Sequence, residues 1–220
     1  MLYVLGGVSW PHAVDDVTAV DMLDTWSLSP TWRRVPPLLH KRRGGGFTPF
    51  RSALLAVGGL NIEAHDRLKT VDAFAPCPGA WRRLSLPEMA LGRSAVGVAV
   101  VQDALVVVGG LSGQTGDPTS SCEHCDLLAA EPHWEPLPDL PEPRVAPQCV
   151  AAKDEVLVVG GGVPNVGFTG SVESFRIGDV AAGWTRRQRC LEVPRHAFGC
   201  CLVVRNGRSY LVVCGGGRRG

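Results

Sequence analysis

The chain has 220 residues, enough to bury a sizeable core, and reads as one domain or one repeat array. Its formal charge of +1 excludes the strong bias that marks a nucleic-acid or anionic-membrane partner. No apolar run approaches the roughly 18 residues of a membrane-crossing helix.

In chain order the first predicted element is the apolar run Leu2-Tyr3-Val4-Leu5, closed by Gly6-Gly7. The same device returns four times: runs at 54–57, 105–108, 156–159 and 211–214 end at Gly58-Gly59, Gly109-Gly110, Gly160-Gly161 and Gly215-Gly216. The first glycines of these pairs are spaced 52, 51, 51 and 55. An acid follows each of the first four pairs by 12 to 14 residues: Asp21, Asp72, Glu123 and Glu173. A tryptophan follows the acid by 9 to 11: Trp32, Trp81, Trp134 and Trp184. A proline segment then carries Arg43, Arg93, Arg144 and Arg195, spaced 50, 51 and 51. A period near 50 held by four markers means a repeat architecture. The repeats are residues 1–43, 44–93, 94–144 and 145–195, with a partial fifth at 196–220.

Each period predicts four short strands. In the third copy they lie at 94–101, 104–108, 122–127 and around Trp134, with a tight turn at Gln102-Asp103 and a polar loop at 111–121. Gly (27) and Pro (17) punctuate the apolar runs, as in β-rich chains. Four strands per repeat predict propeller blades. The glycine pairs let the backbone turn and approach neighbouring strands. The Val/Leu runs suit strands buried on both faces, and the tryptophans supply apolar area between blades.

The pattern resembles the kelch repeat. The runs Val71-Asp72-Ala73-Phe74 and Val172-Glu173-Ser174-Phe175 carry the likeness, as does the end-of-blade segment from Leu137 to Arg144. Copy three departs from it with Cys122-Glu123-His124-Cys125, and copy one with an extra Trp26. The expected fold is therefore all-β, a kelch-type β-propeller of four-stranded blades. Seventeen strands are predicted, one more than four closed blades need and fewer than the six blades usual in the family. The expectation is an incomplete propeller of about four to five blades: a fragment, truncated product or short isoform with exposed strand edges. The alternative leaves one strand unpaired and closes four blades.

Because strands alternate in direction, the loops after the second strand (8–16, 60–68, 111–121 and 162–170) share a face with those after the fourth. The resemblance implies that this face holds a protein or peptide. The candidate contacts are Arg43, Arg93, Arg144 and Arg195, with Asn61, Arg67, Gln114 and Asn165 from the loops. The competing reading has each arginine capping its own blade through local carbonyls or acids. By resemblance the commonest use is substrate recognition for a cullin-RING ubiquitin ligase, although the sequence shows no BTB or BACK region. A scaffold in cytoskeletal or signalling complexes is the other use. Oligomeric state stays open.

Other clusters read as follows. Arg33-Arg34 with Lys41-Arg42-Arg43 forms a basic patch, read as a solvated loop, with a nuclear localisation signal or a patch for an acidic partner as the alternatives. Arg186, Arg187 and Arg189 suit an exposed blade edge. Cys122 and Cys125 have the spacing of half a zinc site, but no second such pair exists, so buried inert thiols are expected, with no metal and no cofactor. Adjacent Cys200 and Cys201 fall on opposite faces of a strand. Met1 leads directly into a strand with no secretory pattern, so the eight cysteines read as reduced thiols of a cytoplasmic or nuclear protein. Copper radical oxidases with kelch-like propellers need tyrosine ligands, whereas Tyr3 and Tyr210 sit in predicted core strands. The histidines (His12, His40, His65, His124, His133 and His196) show no paired ligand spacing. The expectation is a non-catalytic interaction scaffold. The alternatives are an enzyme or carbohydrate-binding propeller, and a truncated copy without independent function.

Overall fold

Each apolar run that ends in a glycine pair folds as the second strand of an antiparallel sheet. The computed structural model describes residues 2–5, 18–76, 79–188 and 190–217; Gly6, Gly7, His12, Cys77 and Arg189 lie outside them. Blade 2 consists of Gly46–Phe50, Ala53–Val57, Val71–Ala75 and Ala80–Arg83, here called strands a to d. Blade 3 consists of Gly97–Val101, Ala104–Val108, Cys122–Asp126 and Trp134–Leu137. Blade 4 consists of Gln148–Ala152, Glu155–Val159, Val172–Arg176 and Thr185–Arg186. Blade 1 has strands b to d, Leu2–Leu5, Val20–Leu23 and Trp32–Val35. Blade 5 has strands a and b, Gly199–Arg205 and Arg208–Cys214. The described residues contain one short helical turn, Val180–Ala182.

Strands a and b are joined by two-residue turns. Their first residues, Arg51, Gln102, Lys153 and Asn206, have φ of 53, 56, 60 and 51°. Such left-handed turns match the twist of the flanking strands. The b strands of blades 2 to 4 carry buried side chains on both faces, as their continuous apolar composition predicts, whereas Val4 in blade 1 and Tyr210 and Val212 in blade 5 are exposed. In blade 3, Leu105 and Val107 pack toward blade 2, and Val106 and Val108 pack toward blade 4. Four apolar clusters result, one between each pair of consecutive blades. Among the described residues none joins blade 5 to blade 1. Complete burial of a side chain such as Phe175 contributes about 1.5–3 kcal/mol.

Three tryptophans lock neighbouring blades. Trp81, Trp134 and Trp184 donate through Nε1 to the carbonyls of Pro36, Pro87 and Pro138, at 3.0, 2.9 and 2.7 Å. Each proline lies just after the last strand of the preceding blade or at its end, so the bond couples packing to register. Trp32, on blade 1, is half exposed. A second ladder joins the linkers two residues before the a strands: Ala95 N donates to Gly44 O at 2.6 Å, Ala146 N to Ala95 O at 2.8 Å, and Ala197 N to Ala146 O at 3.2 Å. All four of these residues have positive φ.

Candidate functional site

The loop 8–16 lies outside the described residues; the other three loops after strand b do not stay irregular. They fold as small hairpins: Leu60–Asn61 with Asp66–Arg67, Leu111–Ser112 with Asp117–Pro118, and Gly162–Val163 with Gly167–Phe168. The linker from strand d to the next strand a pairs with the hairpin of the blade it enters. Arg93 and Ser94 are in register with Ser112 and Leu111. Bridges join Arg43 to Leu60 and Val145 to Gly162 in the same way. Both sets of loops therefore form one face, as strand alternation predicts.

Beneath that face lies a relay of arginines and glycine pairs. Arg93 donates through Nη1 to Gly109 O (3.2 Å) and Ser121 O (2.8 Å), and through Nη2 to Ser121 Oγ (2.9 Å). Its guanidinium also pairs with Glu123 at 3.0 Å. Arg144 donates to Gly160 O (2.9 Å) and Glu142 (3.0 Å) and lies 3.6 Å from Glu173. Arg42 bonds Gly58 O (2.7 Å), Thr70 O (3.2 Å), Thr70 Oγ1 (3.2 Å) and Asp72. The second glycine of each pair then donates to the following arginine's carbonyl: Gly59 to Arg93 (2.7 Å), Gly110 to Arg144 (2.8 Å) and Gly161 to Arg195 (2.8 Å). Gly58, Gly109 and Gly160 share φ +58°, and a Cβ there would sit 2.6 to 2.7 Å from the next arginine's carbonyl oxygen. Glycine is required at these positions by both conformation and space. Gly215 and Gly216 keep positive φ in blade 5, at 69 and 87°.

The repeat-phased acids are the counter-ions of this relay. Asp72 also receives Arg83 Nε at 3.1 Å, and Glu173 receives Arg186 Nε at 2.9 Å, from the facing positions of strand d. Asp21 pairs likewise with Arg34 at 2.8 Å. In blade 3 the facing residue is Pro136, and Glu123 instead accepts from Ala90 N at 3.0 Å. Burial holds the Arg42 and Arg144 guanidiniums below the usual arginine value, against the pull of Asp72 on the first and of Glu142 and Glu173 on the second. Hydrogen bonding to Glu173 raises the Arg186 value.

This geometry corrects one assignment and redirects three. The in-phase arginine of the first linker is Arg42, not Arg43; Arg43 is exposed and joins Leu60 through its backbone alone. Arg93 and Arg144 are 1% and 0% exposed, so their side chains are spent inside the fold and do not reach the loop face. Arg195 is half-buried, donating to Gly215 O (3.0 Å) and Val193 O (3.3 Å). The signal that finds Arg42 is in the numbering itself, since 42, 93, 144 and 195 are 51 apart throughout. The basic patch around it disperses: Arg34 pairs with Asp21, Lys41 with Glu63 at 2.5 Å, and Arg42 turns inward.

The loop residues divide by role. Asn61 holds its own turn, with Oδ1 accepting from Glu63 N (3.1 Å) and Ala64 N (3.2 Å). Arg67 spans two repeats, bonding Ser94 Oγ (3.1 Å), Gly113 O (2.7 Å) and Gln114 O (3.2 Å). The Phe168 ring stacks on His196 at 4.1 Å, the same hairpin-to-linker contact made by different chemistry. Gln114 and Asn165 stand exposed at hairpin tips, with Val166 beside Asn165. Between the second and third repeats this face dips into a depression of about 270 Å³, walled by Asp66, Arg67, Lys69, Leu91 and Gln114. Asp66 recurs in phase as Asp117, 51 residues on, whereas Lys69 and Leu91 carry no periodic signal in the sequence. The cleft where the a strands converge, about 410 Å³, is lined by backbone, small and apolar side chains, with Thr48 and Gln148 among its polar groups. Cys122 and Cys125 are buried in strand c of blade 3, and no group of metal-ligating side chains occurs among the described residues.

No protein-family model matches the chain. Over 179 residues, 80% of its length, it is 25% identical to the Kelch-like protein terF of Aspergillus terreus (strain NIH 2624 / FGSC A1156), covering 39% of that protein. Over 82 residues, 37% of its length, it is 33% identical to Protein C13 of Swinepox virus (strain Kasza), covering 15% of that protein. The chain thus spans well under half of both curated relatives. The solved structure of YjhT shares the fold over 90% of this chain and 66% of its own, with a TM-score of 0.70 and 15% identity.

Proposed function

Because the chain is an array of kelch repeats, we propose that it is a non-catalytic scaffold that holds an extended segment of a partner protein across its loop face. The observation that carries this reading is the depression between the second and third repeats. It brings an acid (Asp66), a base (Lys69), an apolar side chain (Leu91) and an amide (Gln114) to one concave patch on a rigid base. That mixture suits a peptide, which presents backbone amides, side-chain charge and apolar groups together. The phased acids and arginines support a structural role for themselves, since Arg42, Arg93 and Arg144 each form an ion pair with the acid of the blade they enter. Substrate recognition for a cullin-RING ubiquitin ligase, expected from the resemblance, would use the same face. The free thiols at all seven described cysteines suit a cytoplasmic or nuclear setting.

The test is a peptide-display selection on the purified chain, followed by binding to two variants. Lys69→Glu/Leu91→Asp changes exposed groups of the depression, and Arg82→Glu changes the outer strand of blade 2. Selected peptides should lose at least about tenfold in affinity for the first variant and keep it for the second. Peptides bound equally by both, or no selected peptide, would overturn the reading.

A further inference from the structure

At each interface between blades, one strand c residue of the first blade faces forward and one strand c residue of the next faces back. Blade 1 presents Met22 and blade 2 presents Phe74; both are 1% exposed and belong to one apolar cluster. Blade 3 presents His124, opposite the forward-facing Val106, and blade 4 presents Phe175. Between blades 2 and 3 both positions are small. Ala73 stands where Met22 and His124 stand. Cys125 faces Leu105 in register, where Phe74 faces Leu54 and Phe175 faces Val156. The ring pairs Phe74–Trp81 (5.3 Å) and Phe175–Trp184 (5.1 Å) are thus replaced in blade 3 by Cys125 and Trp134.

A pocket of about 360 Å³ opens at this interface, beside the turn at Arg51-Ser52 and the connection at Pro132. By strand alternation that end of the blades is opposite to the loop face. Leu55, Ala73, Leu84 and Leu86 of blade 2 and Leu127 of blade 3 give the pocket apolar walls. Two exposed arginines, Arg51 and Arg82, complete its lining. Arg51 lies over the Phe50 ring at 5.3 Å and 3.6 Å from Asp103. Arg82 is in register with Ala73, and its side chain has no ion-pair or hydrogen-bond partner among the described residues. The corresponding residues of the next two blades are engaged. Glu135 lies 3.6 Å from His124, and the Thr185 carbonyl accepts from Ser174 Oγ at 3.4 Å. Shape and charge therefore depart from the repeat at the same interface.

We propose that this pocket binds a small carboxylic acid with an apolar body, such as a medium-chain fatty acid, its chain between the blades and its carboxylate against Arg82. The volume lies toward the lower end of the range of about 300–1,000 Å³ for organic-ligand sites. The leucine walls take the chain out of water. A guanidinium matches a carboxylate in charge and in hydrogen-bond geometry. Asp103 offsets only one of the two arginine charges, so the pocket keeps an unanswered cation for the ligand. Both flanking blades have all four strands, and every residue that lines the pocket belongs to them or to their connections. The site lies on the face opposite to the loop-face depression and stands independently of the peptide-binding reading.

The probes are decanoate and decanol, each titrated into the full chain below micelle-forming concentrations and followed by calorimetry and by the Ala73 methyl resonance. Decanoate should bind saturably, shift that resonance, and bind about threefold to fivefold more tightly than decanol. Arg82→Gln, an exposed change, should abolish the preference and leave decanol binding as it was. Ala73→Met puts into blade 2 the residue that blade 1 carries at the same position, so the variant should fold, and it should bind both compounds at least about tenfold more weakly. Lys69→Glu/Leu91→Asp should leave decanoate binding unchanged. No saturable binding of decanoate, equal affinity for the two compounds, or unaltered binding to a folded Ala73→Met protein would each overturn the proposal. Weakened binding of a display-selected peptide to Ala73→Met, with no binding of decanoate to the parent chain, would make a protein segment the occupant and overturn it as well.

Discussion

The Arg93 guanidinium lies 3.0 Å from the Glu123 carboxylate, with the two side chains 2% and 4% exposed. The two residues are thirty apart in sequence and sit on the linker and strand c of one blade. The same arginine offers its carbonyl to Gly59 of the preceding blade at 2.7 Å. One residue thus ties a blade together internally and ties it to its neighbour. A buried pair of this kind is not intrinsically stabilising, but losing one member strands the other charge.

Arg93→Ala and Glu123→Ala should therefore each destabilise the fold by about 3–5 kcal/mol. The double variant should cost less than the two effects added, by about 1 kcal/mol or more. Urea unfolding of the four proteins in the cycle measures this. Additive effects would show that the two side chains do not act as a unit.

The glycine pairs predict a contrast between two single substitutions. Gly109→Ala forces a Cβ to 2.6 Å from Arg144 O at φ +58°, whereas Gly113→Ala, at φ +67°, meets nothing within 4 Å. Both carry the left-handed strain of about 1–2 kcal/mol, and Gly109→Ala must also displace the relay carbonyl. The denaturation midpoint should fall clearly further for Gly109→Ala. Equal shifts would mean that conformation alone accounts for the glycine.

Burial pushes the Cys122 thiol up to about 12 and the Cys125 thiol up to about 11, while Cys190, Cys201 and Cys214 are exposed. At pH 8 the exposed cysteines should react with a thiol reagent in the native protein, and Cys122 and Cys125 only after unfolding. The pH dependence has a definite sign. The unfolded thiols lose their protons near the ordinary value of about 8.5, before the native ones do. Their contribution to stability is therefore complete below about pH 8.5 and is lost as pH rises toward 12. A urea midpoint lower at pH 10 than at pH 7.5 is the expected result. A midpoint that rises over that interval would contradict it.

How far the site was legible follows from which interactions are local. The third-copy strand at 104–108, the strand expected at 122–127 and found at Cys122–Asp126, the turn at Gln102-Asp103 and the shared loop face all follow from alternation and punctuation over a few residues. The roles of the arginines did not. Arg93 and Arg144 look like surface-loop residues by their proline-rich surroundings, yet their guanidiniums reach carbonyls 16 residues ahead and are sealed by neighbouring blades. Nothing in a linker's composition reports which way a long side chain turns.

The amino-acid sequence by itself determined the period, the strand order within each blade and the glycine positions, because these depend on residue type at fixed spacing along the backbone. Tertiary structure alone decided that the Arg42, Arg93 and Arg144 side chains turn inward, that the phased acids are counter-ions, and that Asp66, Lys69, Leu91 and Gln114 share one depression. Those outcomes depend on contacts between segments tens of residues apart, whose geometry exists only once the blades have packed.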